Sequence, residues 1–218
     1  MQGSLGILGG TFDPVHFGHL RLAQEVAGAL ALNEVRFIPG GTPPHRATPR
    51  TSAEHRVAMV KLAIADNPMF HIDERETRRG GLSYTFDTLT ELRSEVGAAA
   101  PLVLIMGADA FSAFDTWHRW RDIFGLAHIA VAHRPGTALA DIKSEALSVE
   151  FAQRRVDDAA IIAGAPAGAI VVVPITALDI SATAIREAIQ AKRNARYLTP
   201  AAVIQYIEYN HLFLKEIS

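Results

Sequence analysis

The sequence predicts an α/β fold in which helices cover both faces of a doubly wound, mostly parallel sheet. Short apolar runs alternate along the chain with amphipathic stretches, which is the order of a repeated strand–helix unit. The runs are apolar at successive positions, as is typical of parallel strands that are buried on both faces. Folds of this class bind ligands at the carboxyl ends of their strands. The residues that follow each run are therefore the first candidates for a functional site.

The predicted strands come from runs of strand length, several of which are followed by Gly or Pro. They are Leu5–Leu8, Val35–Ile38, Phe70–Ile72, Leu102–Met106, Ile129–Ala132 and Ile170–Val173. Because no internal repeat or domain boundary separates them, residues 1–218 are predicted to form one domain with a C-terminal helical part at about 180–218. The stretch 138–169 carries the weakest pattern. Its Ala- and Gly-rich end, 159–169, is interpreted as a helix end and a connection.

The predicted helices rest on apolar spacing and on N-cap chemistry. The first helix has Leu20, Ala23, Ala27 and Leu30 on one face. Hydroxyl residues at predicted caps open four further helices. These caps are Thr51 (with Glu54 in a capping box), Thr85, Ser181, and Thr199 followed by Pro200.

Composition excludes several classes of protein. The chain of 218 residues is 49% hydrophobic and 20% charged, an ordinary globular balance, and its formal net charge is −2. Without a basic excess, tight binding to nucleic acid is not expected. The absence of cysteine rules out disulfides, thiolate metal sites and a cysteine nucleophile. No signal peptide and no apolar stretch of membrane-spanning length are found, so we expect a cytoplasmic protein that does not bind membranes.

The first motif follows the first predicted strand and has the sequence GGTFDPVHFGHL, Gly9–Leu20. Glycines let the backbone pass close to a ligand, and the start of a helix attracts phosphate through its free N–H groups. His16 and His19 are three residues apart, so their imidazoles lie on one side of the first turn. The pattern indicates a phosphate-binding site. A tight turn with two incidental histidines and a metal-binding pair are the alternatives, and no third metal ligand stands nearby at ligand spacing.

The second motif has the sequence ISATAIR, Ile180–Arg186, and follows the last predicted strand. Ser181 is a plausible N-cap, and the hydroxyls of Ser181 and Thr183 with the Arg186 guanidinium form a second anion-binding set. An ordinary capped helix with a solvent-exposed arginine is the alternative interpretation.

Together, the two motifs resemble the signature of the nucleotidyltransferase superfamily with HxGH and ISxTxIR motifs, which implies a Rossmann-like nucleotidyltransferase fold. The segments PPHR, SYT and TW, which end at Arg46, Thr85 and Trp117, narrow the resemblance to the bacterial nicotinate-nucleotide adenylyltransferases. The resemblance extends from Gly9 to Arg186. It implies that the fold brings the two motifs together on one ATP molecule.

The resemblance implies a role for individual residues. His16, His19 and Arg186 would be catalytic. The ATP-binding residues would be Gly9, Gly10, Thr11, Phe12, His16, His19, Gly107, Asp109, Arg134, Ile180, Ser181, Thr183 and Arg186. The residues that bind the mononucleotide would be Asp13, His45, Arg46, Tyr84, Thr85 and Trp117. Main-chain amides at Tyr84 and Thr85 would bind the nicotinate carboxylate, and Trp117 would stack on the pyridine ring. Relatives often have an aromatic residue at position 118, where this chain has His.

The implied reaction is adenylyl transfer from ATP to nicotinate mononucleotide in NAD biosynthesis. The partners would be these two substrates, and the sequence leaves a homo-oligomer open. Mg²⁺ would be the cofactor, held mainly by ATP phosphates, with no metal site on the protein. The alternatives are an adenylyltransferase for nicotinamide mononucleotide or for phosphopantetheine, and a nucleotide-binding regulator without catalysis.

Overall fold

A computed structural model of the chain describes residues 3–41, 49–133, 142–176 and 178–214. Its centre is a parallel sheet in the spatial order β3-β2-β1-β4-β5-β7-β6. The strands are β1 Leu5–Gly10, β2 Glu34–Pro39, β3 Phe70–Ile72, β4 Leu102–Gly107, β5 His128–His133, β6 Arg155–Val156 and β7 Ile170–Pro174. All six predicted strands are confirmed within a residue or two at each end. The two-residue β6 was missed because it lies in the weakly patterned stretch 138–169.

Helices pack on both faces of this sheet. They are α1 Phe17–Ala29, α2 Ala53–Ile64, α3 Arg75–Arg78, α4 Thr85–Val96, α5 Ala108–Ser112, α6 Trp120–Ile123, α7 Glu145–Arg154, α8 Ala160–Gly164, α9 Ala182–Gln190 and α10 Ala201–Tyr209. A 3-10 turn, Phe114–Thr116, follows α5. One apolar cluster includes Val26, Val60 and Val203 from α1, α2 and α10, and the other includes Leu89 and Ile123 from α4 and α6. The predicted doubly wound architecture is therefore confirmed.

The sheet order reverses direction at β1. The chain moves outward from β1 to β2 and β3, and then returns to place β4 on the other side of β1. Such a switch point leaves a crevice at the carboxyl ends of the two central strands, where ligands bind in open α/β sheets. Here the crevice lies next to the residues after Gly10 and Gly107, the ends of β1 and β4.

Three of the four predicted helix caps were wrong, and two of the errors have a common cause. Ser52 rather than Thr51 caps α2, and Pro200 rather than Thr199 precedes α10. Both threonine hydroxyls instead hold the first motif: Thr51 donates to Asp13 Oδ1 at 2.6 Å, and Thr199 donates to the Val15 carbonyl at 2.8 Å. Tertiary partners therefore displaced the local caps that the sequence pattern favours.

The remaining two caps gave one error and one success. Thr85 is the first residue of α4, and the cap position belongs to Tyr84, whose side chain makes no capping hydrogen bond. Ser181 caps α9 as predicted, since its hydroxyl accepts a hydrogen bond from the Ala184 amide at 3.1 Å.

Within the described part of the chain, no helix has the length and apolar character needed to cross a bilayer.

Candidate active site

The first motif forms a loop between the end of β1 and the start of α1. Phe12 lies in its middle with φ of 52°, a left-handed backbone conformation that is uncommon for a bulky residue. Two guanidinium groups hold the carbonyls on either side of it. Arg56 donates to the Thr11 oxygen at 3.0 Å, and Arg186 donates to the Asp13 oxygen at 2.7 Å. The surrounding structure thus imposes this backbone conformation, as is common at functional sites.

The two histidines of the motif lie against each other at the start of α1. His16 is the N-cap residue, and its ring stacks on that of His19 with centroids 3.7 Å apart. The His16 amide donates to His19 Nδ1 at 3.2 Å. Because Nδ1 accepts, a neutral His19 carries its proton on Nε2, which can therefore donate to a ligand. A Cβ on Gly18 would lie 3.0 Å from the His16 ring, so a larger residue at this position would press against that ring.

His16 is neutral at physiological pH. His16 is 7% exposed, and its Nδ1 atom is buried without a hydrogen-bond partner in the described structure. Burial lowers the pKa of His16 to about 4, because the charged imidazolium would lose its hydration. Such a ring can donate a hydrogen bond to phosphate, but it contributes no positive charge at pH 7.

We expect this depressed pKa to make stability depend on pH. The unfolded chain binds a proton at His16 below pH 6.5, whereas the folded chain excludes it until about pH 4. The contribution of His16 to the free energy of unfolding should therefore be greatest above pH 6.5 and fall between pH 6.5 and 4, by about 3 kcal/mol in total. In urea titrations, the wild type should lose about 2 kcal/mol more than His16→Gln between pH 7.5 and 5. An NMR titration of His16 with a midpoint near 6.5 would contradict this expectation.

Asp13 and Arg56 connect the loop of the first motif to α2 and to the residues just before it. The Asp13 carboxylate accepts hydrogen bonds from the Arg50 amide and the Thr51 hydroxyl, both at 2.6 Å. Arg56 is only 2% exposed; burial lowers its pKa, while the charges of Asp13 and Glu54 oppose that shift. Asp13 thus joins the loop to the start of α2, and its predicted contact with the mononucleotide stays a prediction. Arg56 was missed, although an arginine within the apolar pattern of α2 is itself a signal of a buried role.

The second motif meets the first at this loop. Besides holding the Asp13 carbonyl, Arg186 donates to the Thr183 hydroxyl at 3.0 Å. The position that a Cβ on Gly18 would occupy is 3.7 Å from the Ile180 carbonyl. Thr183 and Ser181 are exposed, and each hydroxyl accepts a hydrogen bond in this structure while retaining a proton to donate. The two motifs therefore meet at these residues, and their joint binding of one ATP molecule stays a prediction.

A second group of predicted residues surrounds the N-terminus of α4. Tyr84 and Thr85 open this helix, whose first amides have no partner within the helix. The His118 ring lies 4.5 Å from the Tyr84 ring, and the Arg119 guanidinium lies over the Phe86 ring at 3.8 Å. These contacts bring the segment that contains Trp117 against the start of α4. His118, at a position where relatives often have an aromatic residue, therefore still places a ring against Tyr84.

Of the remaining predicted residues, some are described by the structure and others lie outside the described ranges. Among the described ones, Trp117 is half-buried and its ring centroid lies 5.4 Å from that of Phe114. The neighbouring Trp120 is buried. Gly107 ends β4 and precedes α5, which places the exposed Asp109 at the same edge of the sheet. Gly9 and Gly10 end β1 at that edge too. His45, Arg46 and Arg134 lie outside the described residues. The roles assigned to all these residues stay predictions.

Comparison with known proteins places this arrangement in a family. The model of the cytidylyltransferase-like family matches residues 7–188. A probable nicotinate-nucleotide adenylyltransferase of Dechloromonas aromatica is 49% identical over 215 residues, 98% of this chain and 99% of the relative. The protein of the same name from Pseudomonas aeruginosa is 45% identical over 96% of each chain.

Solved structures agree on the fold. The Plasmodium falciparum nicotinic acid mononucleotide adenylyltransferase complexed with NaAD matches with a TM-score of 0.72 at 15% identity, over 97% of this chain and 98% of that chain. A putative nicotinate-nucleotide adenylyltransferase from Vibrio parahaemolyticus matches with a TM-score of 0.65 at 14% identity, over 100% and 99%. On the family model and the close relatives, the chain belongs to the cytidylyltransferase-like family and, within it, to the nicotinate-nucleotide adenylyltransferases.

Proposed function

We propose that the chain transfers the adenylyl group of ATP to nicotinate mononucleotide, which yields nicotinate adenine dinucleotide and pyrophosphate in NAD biosynthesis. The observation that carries this proposal is the direct contact between the two motifs. Arg186 donates to the Asp13 carbonyl in the loop that leads to His16 and His19, so the two motifs meet beside the carboxyl end of β1. Imidazole, hydroxyl and guanidinium donors suit a triphosphate.

The chemistry needs little covalent help from the protein. A phosphate oxygen of the mononucleotide attacks the α-phosphorus of ATP, and the bond from that phosphorus to the bridging oxygen of the β-phosphate breaks. The phosphate oxygen is already deprotonated at neutral pH, so no general base is required. Catalysis then rests on alignment and on stabilising the charge that develops on the phosphoryl oxygens.

Each group of the site has a distinct part in this mechanism. His19 donates through Nε2 to the phosphoryl oxygens of the reacting centre, with the neutral His16 stacked against it. Ser181, Thr183 and Arg186 hold the departing phosphates. Mg²⁺ bound to ATP would neutralise further charge on the phosphates. The donors gathered here are imidazole, hydroxyl and guanidinium groups, which bind phosphate oxygens and leave the ion to be held by ATP and water.

The base is selected at the start of α4. The free amides after Tyr84 and the positive end of the helix dipole favour an anionic group, so a carboxylate is preferred to a neutral carboxamide. A ring seated there would lie near the segment of Trp117 and His118, because His118 contacts Tyr84. This arrangement supports nicotinate rather than nicotinamide as the base.

The proposal is tested by measuring pyrophosphate release with ATP and either mononucleotide. We expect kcat/KM for nicotinate mononucleotide to exceed that for nicotinamide mononucleotide by at least about tenfold, equivalent to about 1.4 kcal/mol of discrimination. Phosphopantetheine serves as the third acceptor. Equal rates with the two mononucleotides would refute the proposed selection at α4. Release with phosphopantetheine alone, or with no acceptor, would refute the proposed reaction.

A further inference from the structure

Glu76 on α3 occupies a position that neither motif explains. Its carboxylate accepts a hydrogen bond from the Thr88 hydroxyl at 2.8 Å and another from the Gly41 amide. Thr88 is 2% exposed and lies in the first turn of α4, where its amide donates to the Tyr84 carbonyl at 3.2 Å. Gly41 follows β2 and is the last described residue before the predicted phosphate-binding segment with His45 and Arg46. One carboxylate thus links two segments that are predicted to bind the mononucleotide.

The link is closely packed. A Cβ on Gly41 would lie 2.3 Å from the Glu76 carbonyl oxygen and 2.7 Å from Ser83 Oγ, so only glycine fits there. Ser83 is itself buried, and its hydroxyl donates to the same carbonyl at 3.4 Å. The preceding Gly40 donates to the Gly10 carbonyl at 2.9 Å, which connects the cluster to the end of β1. Gly40 and Gly41 are therefore held against the central strand and against the residues that precede α4.

Opposing effects act on the Glu76 carboxyl. Burial raises its pKa above the ordinary value and Asp73 adds to the rise, although the hydrogen bonds from Thr88 and Gly41 and the nearby Arg79 guanidinium oppose it. The Thr88 hydroxyl and the Gly41 amide both donate to this group, and a carboxylate oxygen is a strong acceptor for each of them. A partly buried carboxylate with two such partners is costly to remove, because each donor would be left unpaired.

We propose that Glu76 is a positioning residue for the mononucleotide: it sets the spacing between Gly40 and Gly41, which follow β2, and the N-terminus of α4. The inference rests on the proposed function. It places the effect of Glu76 on one substrate, because the two segments it joins are those predicted to hold the phosphate and the pyridine ring of the mononucleotide. The ATP-side groups Ser181, Thr183 and Arg186 lie on another element, at α9.

The test compares Michaelis constants for the two substrates in wild type, Glu76→Ala and Thr88→Val. Each variant should raise KM for nicotinate mononucleotide by about tenfold or more, while KM for ATP stays within about twofold of wild type. Thr88→Ser keeps the hydroxyl and should restore a near-wild-type KM. Glu145→Gln, at an exposed position in the first turn of α7, is the matched control and should change neither constant.

Equilibrium binding provides a readout that does not depend on turnover. Nicotinate mononucleotide alone is titrated against each variant by the fluorescence of the two tryptophans, Trp117 and Trp120. Weaker binding in Thr88→Val with recovery in Thr88→Ser supports the inference. Unchanged KM values, an equal rise for both substrates, or a fall in melting temperature alone would overturn it. If the wild type failed to use nicotinate mononucleotide, both the proposed function and the role of Glu76 would be refuted. If the wild type used this substrate and the variants had the same constants, only the role of Glu76 would be refuted.

Discussion

Replacing His19 with alanine is expected to lower kcat by about 10²- to 10³-fold, a loss of about 2.7–4 kcal/mol of transition-state stabilisation. Because His19 Nδ1 accepts a hydrogen bond from the His16 amide, a neutral His19 carries its proton on Nε2, which is the atom we expect to donate to the reacting phosphoryl group. The variant should still fold, because His19 lies at the start of α1 and is only partly buried. Steady-state pyrophosphate release measures the effect, with circular dichroism to check the fold.

The control for this variant is His71→Ala. His71 lies on β3, and its side chain is 54% exposed. We expect its replacement to leave kcat unchanged, since it lies on a strand that supplies none of the predicted ATP contacts. A His19→Ala enzyme whose kcat stayed within about threefold of wild type would show that the histidine pair does not stabilise the transition state.

Replacing Arg186 with alanine is expected to lower kcat/KM for ATP by about 10³-fold, because this residue contributes in two ways. Its positive charge would be lost from the departing phosphates, and the Asp13 carbonyl would lose the donor that holds the loop beside Phe12. The variant Arg186→Lys separates the contribution of the charge from that of the hydrogen bond to the Asp13 carbonyl. Lysine keeps the charge but cannot bind the Asp13 carbonyl and the Thr183 hydroxyl with one planar group, so only part of the activity should return.

A second arginine beside α9 gives the matched control. Arg193 is exposed just after the helix ends, and Arg193→Ala should leave kcat/KM within about twofold of wild type. Isothermal titration with a non-hydrolysable ATP analogue would measure binding separately from catalysis. Undiminished analogue affinity together with undiminished kcat in Arg186→Ala would remove this residue from the site.

Much of the fold was predictable because it depends on local patterns. The strands are apolar runs that a buried parallel sheet requires, and each predicted run lies within an observed strand. The meeting of the two motifs was expected from the resemblance, and the hydrogen bond from Arg186 to Asp13 joins residues 173 positions apart. Ser181 was predicted correctly as a cap, because its partner Ala184 is only three residues away.

Four of the errors and omissions occur where a side chain has a distant partner. Thr51 and Thr199 satisfy the rules for helix caps, but Asp13 and Val15 recruit their hydroxyls. The same reason explains why Arg56 and Glu76 were missed. Their partners Thr11 and Thr88 lie 45 and 12 residues away, and no spacing rule connects those positions. Such contacts depend on how the helices pack on the sheet, and they decide the detailed geometry of the site.

The joint between the two ends of the chain is made largely through main-chain oxygens. Arg186 binds the carbonyl of Asp13, and Thr199 binds the carbonyl of Val15. A peptide carbonyl is present whatever side chain occupies the position. The C-terminal part therefore binds the main chain of the loop, and these two hydrogen bonds do not depend on the side chains at positions 13 and 15. Chimeras that combine the front of one relative with the tail of another would keep this connection, so recombination within the family can vary the loop without dismantling the site.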